Sequence, residues 1–408
     1  MKNFSLLHSR VGSLAQRLMV MFCVLMLGVS QVWGAEAVYK ETTFSSSNNS
    51  QGISSYSNSW YNTTDGFRID IANANNANNS WGYVKMGSKS AAYVGKFTTN
   101  SAIDLKITKV SINIAAVTSN NINSIKLYTS TSSNGSSWTE RGSFTVGTGW
   151  KDVSIAAANQ ATNLYYKIEV DCKKSSNGTI QINGLKFYAT AYTVSSAVSP
   201  SGKATVTLGT TTTVFPGKTT TATYSSITNG YEFVNWSISG TGATLSSTTT
   251  NPTTITVGSA NVTVTANLQC KTPTISSNLS TAQVDYEQNA TATALSVTAA
   301  AGGANLSYAW EKSANGSTGW TSVGTNNKSY TPSTADAGDW YYRCTVTNAA
   351  TGCNTYVISN IAHIHVNEAV ACTATPSVGA ASLNGSFLMI HLKISHHIIM
   401  SMFASLIL

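Results

Sequence analysis

The stretch Tyr165-Tyr-Lys-Ile-Glu-Val-Asp-Cys172 sets the fold class of this 408-residue chain. Successive side chains of a strand point to opposite faces. A strand here therefore puts Tyr166, Ile168, Val170 and Cys172 on one face and Tyr165, Lys167, Glu169 and Asp171 on the other. A helix would scatter both sets around its axis. The same period recurs at Lys109–Ala116, Ser124–Thr129, Lys151–Ala156 and Ile180–Tyr188, with breaks rich in Asn, Gly and Ser. No segment carries a helical stripe, so the chain reads as all-β, built of tandem β-sandwich modules. On this register Cys172 is a small buried hydrophobe rather than a reactive thiol.

Composition argues against acid–base chemistry. No histidine lies between His8 and His363, and only 16 of 408 residues are Asp or Glu. Histidine is the usual general base near neutral pH and a common metal ligand. Residues 38–193 hold 14 Lys/Arg against 8 Asp/Glu, whereas residues 194–387 hold 6 against 7. The cations are spread thinly and form no patch of the kind that grips nucleic acid. No nucleic-acid partner is expected.

The N-terminus has the layout of an export signal: Lys2, Arg10 and Arg17, an apolar run from Leu18 to Val29, and a small-residue exit at Ala35-Glu36-Ala37. The run is short for a membrane span. Residues 1–37 read as a leader, and the mature chain reads as secreted or held at the cell surface without a clear membrane span.

Three modules follow on composition and spacing. Residues 38–192 contain Ile125-Lys-Leu-Tyr, Asn134-Gly-Ser-Ser-Trp138, Tyr165-Tyr-Lys-Ile and Ile182-Asn-Gly-Leu-Lys-Phe-Tyr188 in that order. This order resembles the galactose-binding-like jelly rolls of the discoidin type. Residues 193–269 contain Gly230-Tyr-Glu-Phe-Val-Asn-Trp236, Asn251-Pro252 and Val262-Thr-Val-Thr-Ala-Asn-Leu268. This segment resembles the divergent internalin B-type repeat of bacterial surface proteins, with Leu268 in place of the usual final aromatic. Tyr231, Phe233 and Trp236 are its expected core anchor.

Residues 270–367 contain Tyr308-Ala-Trp310 and Asp336-Ala-Gly-Asp-Trp-Tyr-Tyr-Arg-Cys-Thr-Val346. They resemble a bacterial immunoglobulin-like domain, with Trp310 as the strand C tryptophan. The register turns Trp340, Tyr342, Cys344 and Val346 inward, with Trp340 at the position of the corner tyrosine. The presumed strand B, Ala294–Thr298, lacks a cysteine, so the inter-sheet disulfide is absent. One option among several pairs Cys344 with Cys353. Residues 368–386 read as the start of a truncated fourth β domain, and the apolar residues 387–408 as a truncated or frame-shifted end, with a C-terminal apolar anchor as the alternative.

Aromatic rings beside Asn-rich loops suit sugars, because rings stack on the apolar faces of pyranoses while amides bond the hydroxyls. Trp60, Tyr61, Asn79, Trp81 and Tyr83 stand in such stretches and are the candidate ligand-binding set. The discoidin resemblance implies a ligand in loops at one end of the sandwich. The alternative is that Trp60, Trp81 and Tyr83 plug the barrel ends. Trp138 and Trp320 follow Asn-Gly turns and read as hairpin-closing core residues. Glu169 and Asp171 read as charge-compensated surface groups rather than a glycosidase pair. His363 and His365 share one strand face without an evident third ligand, so no metal and no cofactor are expected.

The expected product is a non-enzymatic modular binding protein, for adhesion or carbohydrate recognition, with a glycan or a host or extracellular surface component as partner. A spacer stalk and the accessory part of a larger secreted enzyme truncated near residue 387 are the alternatives.

Overall fold

A computed structural model describes residues 34–44, 51–53, 56, 59–78, 80–134 and 137–370. The described residues up to Ser277, with Thr298–Tyr308 and Thr345–Ile358, form one compact unit. Asn278–Val297, Ala309–Cys344 and the residues from Ser359 onward form a second. Among the described residues the only helical pieces are the 3₁₀ turns Ser119–Asn121 and Ala157–Asn159. The fold is all-β, as tandem β-sandwich modules.

The first module contains β1 (Ala35–Thr43), β2 (Trp60–Thr64), β3 (Phe67–Ala72), β4 (Val84–Met86), β5 (Tyr93–Thr99) and β6 (Ile107–Val117). After them come β7 (Ile122–Ser130), β8 (Thr139–Ser143), β9 (Gly149–Ser154), β10 (Tyr165–Cys172) and β11 (Ile180–Ser199). One sheet runs β9-β6-β11, with β1 and β4 also paired to β11. The other runs β2-β3-β5-β10-β7-β8. Alternation places Val110, Ile112 and Ile114 of β6 and Leu185 and Phe187 of β11 in one core. Ile71, Phe97, Leu127, Ile168 and Val170 of the facing sheet share it. Burying each such side chain contributes about 1.5–3 kcal/mol. Cys172 is fully buried with them, and burial pushes its thiol up to about 12.

β1 begins at Ala35, with Ala35, Glu36 and Ala37 facing Ala191, Thr190 and Ala189. Glu36 pairs with Lys109 at 2.6 Å. The small-residue exit assigned to the leader thus stands in a strand; residues 1–33 of the expected leader lie outside the described residues.

The second module contains β12 (Thr205–Leu208), β13 (Thr213–Val214), β14 (Thr219–Ser225), β15 (Tyr231–Ser239), β16 (Thr244–Leu245), β17 (Thr253–Thr256) and β18 (Val262–Cys270). Its join to the first module is β11 itself. β11 runs without a break past Tyr192, and Val194–Ser199 pair in parallel with Val262–Asn267 of β18. The compositional boundary at residue 193 therefore falls inside one strand. Trp236 is 1% exposed, and its indole N–H donates to the Thr250 carbonyl at 2.9 Å. Phe233 packs edge-on to it at 5.4 Å, and Tyr231 is buried nearer the start of the strand. At the join, Lys218 meets Asp104 at 2.7 Å and Tyr39 packs on Phe215 at 4.9 Å.

The remaining strands are β19 (Thr274–Ser277), β20 (Val284–Glu287), β21 (Leu295–Ser296), β22 (Thr298–Ala300) and β23 (Leu306–Ser313). They continue with β24 (Thr321–Val323), β25 (Ser329–Tyr330), β26 (Gly338–Asn348), β27 (Tyr356–Ile358) and β28 (Ala362–Asn367). The main sheet has the order β20-β28-β26-β23-β24, with β20 parallel to β28. Trp310 is 1% exposed, and its indole donates to the Asn327 carbonyl at 2.8 Å. Tyr342, Cys344 and Val346 face inward as the register of β26 requires. Trp340 is half-buried instead, and its indole bonds back to the Asp336 carbonyl at 3.0 Å, closing the corner.

The Cys344–Cys353 pairing is corrected. Cys353 is bonded to Cys270, with Cα atoms 5.6 Å apart. Alternation along β26 sends the Cys344 side chain into the core, where it is a buried thiol outside any disulfide, pushed up by burial to about 11. Cys353 lies in the turn after β26, and Cys270 ends β18. The expected fourth domain lies outside the described residues except for 368–370.

Candidate functional site

The Asn-rich loop of the first module is fixed by its own amides. Asn76 Oδ1 accepts from the Ile53 N–H at 2.8 Å, and Asn76 Nδ2 donates to the Gln51 carbonyl at 3.0 Å. Asn76 and Asn75 are buried, and Asn75 bridges Lys85. Asn73, Ala77 and Asn78 have φ of 56°, 54° and 55°. Asn visits this left-handed region more readily than most residues. The side-chain amides of Asn73, Asn75 and Asn76 hold the backbone of the loop.

That scaffold presents Trp81 and Tyr83. Their rings stack with centroids 5.5 Å apart and planes 20° from parallel. Lys85 Nζ lies 4.1 Å from the Trp81 centroid and 5.7 Å from that of Tyr83. Both rings are half-buried. The cluster offers an aromatic edge, a cation and neighbouring backbone polar groups. Asn79, the amide expected beside it, lies outside the described residues.

Trp60 leaves the candidate set. Alternation along β2 turns Trp60 and Asn62 inward and Tyr61 outward, so the Trp60 ring is 3% exposed within the main core. Its indole nitrogen has no hydrogen-bond partner among the described residues. Tyr61 is half-buried beneath the Arg68 guanidinium, 4.1 Å from the ring centroid. Arg68 in turn is held by Asp70 at 2.7 Å. Trp138 and Trp320 are not core residues either. Both are half-buried, under Lys167 at 4.7 Å and Arg343 at 4.1 Å respectively.

One aromatic that the sequence reading passed over is exposed. Trp150 on β9 keeps 41% of its surface accessible. The signal for it was the Gly147-Thr-Gly149 run before it, which puts a strand start directly after a turn.

The titratable groups are absorbed in pairs. Glu169 meets Lys167 at 2.8 Å and Lys96 at 3.7 Å, and Asp171 accepts from Asn123 at 3.2 Å. His363 and His365 both contact Asp339, at 2.7 and 2.9 Å, and His363 stacks on Tyr341. The hydrogen bond to Asp339 raises the His365 pKa, and the two histidines lower that of Asp339. Among the described residues no cluster of three or more His, Cys, Asp or Glu side chains is placed to hold a metal. No helix there is long and apolar enough to cross a membrane.

Known proteins resemble parts of this architecture. A family model described as a domain of unknown function (DUF8696) matches residues 275–368. No curated protein matches the chain. Among solved structures, a carbohydrate-binding module described for specific mannan recognition is 14% identical, with a TM-score of 0.20, over 38% of this chain and 98% of that one. The N-terminal eight immunoglobulin domains of Down Syndrome Cell Adhesion Molecule are 11% identical, with a TM-score of 0.25, over 82% of this chain and 49% of that one. The BSP domain of a biofilm associated protein is 10% identical, with a TM-score of 0.16, over 80% and 69%. The chain thus spans about half the length of the adhesion-molecule structure. At such TM-scores these likenesses assign no ligand.

Proposed function

We propose that this chain is an exported, modular surface protein whose first module binds glycan without catalysing a reaction, while the following modules act as spacer and display units. The observation that carries the reading is the Trp81–Tyr83 stack with Lys85 above it, held at one end of a sandwich by Asn75 and Asn76. Such an edge suits the end of a glycan, where a ring packs on the indole and a cation meets hydroxyls or a sugar carboxylate. The resemblance of residues 38–192 to discoidin-type jelly rolls points to the same end of the module. The resemblances of residues 193–269 to an internalin B-type repeat and of 270–367 to an immunoglobulin-like domain suit display at a surface.

A glycan array with residues 34–370, wild type against Trp81→Ala, tests this. Signals that fall in the variant support the reading. An array blank for both favours a stalk, which the unbroken β11 and the Lys218–Asp104 clasp would serve as a stiff join.

A further inference from the structure

The outer face of the sheet β9-β6-β11-β1 carries a second aromatic site of a different shape. Trp150, Asn113, Gly184 and Thr43 are cross-strand partners in one row. The Trp150 indole reaches over β6, so that a Cβ built on Gly184 would lie 3.3 Å from its Cη2. Gly184 is buried beneath the ring, which itself stays 41% exposed. The absence of a side chain at Gly184 lets the ring lie down along the sheet rather than stand away from it.

Polar groups flank the ring along the same face. Lys186 Nζ lies 4.6 Å from the ring centroid and 3.4 Å from Glu41 of β1. Asp152, next outward on β9, accepts from Ser111 at 2.6 Å and remains half exposed. Beyond Glu41, at the edge of β1, lies a hollow of about 370 Å³ lined by Glu41, Thr43, Thr64 and Asp65 and also by Lys40 and Phe67. At about 4.8 Å per strand step, β9 to β1 spans roughly 14 Å.

We infer that this face is a binding site for the interior of a β-linked pyranose polymer, with Trp150 as the stacking platform, Lys186 and Glu41 bonding hydroxyls, and the hollow taking the next sugar. A ring lying along the sheet suits a chain that runs past, whereas the Trp81 edge suits a chain end. The pairing of Lys186 with Glu41 offsets the two charges nearest the ring, which suits a platform that packs on a sugar face. The inference rests on glycan binding by the first module, and not on the loop cluster.

Affinity electrophoresis of the intact chain through gels containing hydroxyethylcellulose, xylan or β-mannan tests it. Wild type, Trp150→Ala, Trp150→Phe and Tyr356→Ala are run together, with near-ultraviolet circular dichroism to confirm the fold of each. The expected result is retardation of wild type in at least one gel. Trp150→Ala should weaken that binding about tenfold or more, equal to ~1.4 kcal/mol. Trp150→Phe should keep part of it, and Tyr356→Ala, which removes an exposed ring outside the first module, should match wild type. Equal retardation of Trp150→Ala and wild type overturns the sheet-face site alone. No retardation of wild type in any gel overturns it too; a positive array with Trp81-dependent signals would then leave the loop reading standing.

Discussion

At the loop end of the first sandwich the aromatic rings are taken up by each other and by cations, while on the outer face of β9 one ring keeps 41% of its surface accessible. Trp81 stacks on Tyr83 under Lys85, Tyr61 lies under Arg68, and Trp60 has gone into the core. Trp150 also has a lysine nearby, yet its ring keeps 41% of its surface. The difference comes from strand geometry. A tryptophan at an inward position of β2 fills the sandwich, and one at an outward position of β9 has only Gly184 beneath it. Composition around the residue does not decide between these fates; the parity of its position does.

The largest effect expected separates the two tryptophans directly. Trp60→Ala removes a ring from the main core and should cost about 3–5 kcal/mol in urea unfolding. Trp150→Ala, at the surface, should stay within about 0.5 kcal/mol of wild type. Similar losses from both would erase the contrast between core and platform. Next in size, Cys270→Ser removes the one disulfide among the described residues and should lower stability by about 2–4 kcal/mol. First-module unfolding, followed by a near-ultraviolet probe, should move less than the transition of the modules that follow. A smaller loss, about 1–3 kcal/mol, is expected for Gly184→Val, whose methyls collide with the ring. Acrylamide should then quench tryptophan emission more strongly, because the indole is lifted off the sheet; unchanged quenching would mean that Gly184 does not set the ring's pose.

The smallest effect is a pH response of the third module. Because the folded His365 pKa is raised, its contribution is full below the ordinary value of 6.5 and is lost as pH rises through the raised one. Because Asp339 is lowered, its contribution holds above 3.8 and is lost as pH falls through the lowered value. Both groups are exposed, so the change in Tm should be slight and should vanish in Asp339→Asn. A first module insensitive to the same substitution would confirm that the response is local.

Much of the fold was legible because period-two alternation is strong where one face is buried. β10 follows it residue by residue, from Tyr166 to Cys172, and β26 does so at Tyr342, Cys344 and Val346. Trp236 and Trp310 also fell where their motifs put them. Other features depend on non-local pairing. The partner of Cys353 is 83 residues away, across a turn that no spacing rule reaches. β11 crosses the compositional boundary at 193 because the parallel pairing with β18 extends it. Trp60 read as a loop aromatic because Asn and Ser surround it, yet its pairing with Ile71 turns it inward. Trp150 was overlooked because no amide-rich loop surrounds it in sequence, and the glycine that its ring lies along is 34 residues later.

The most direct test follows the indole N–H signals of residues 34–370 by ¹H–¹⁵N correlation during titration with a β-1,4-linked hexasaccharide. The account predicts that the Trp150 signal shifts progressively and saturably, while those of Trp60, Trp236 and Trp310 stay in place. A titration that leaves the Trp150 signal unmoved would contradict the sheet-face site, and one that moves no indole at all would contradict glycan binding by the first module.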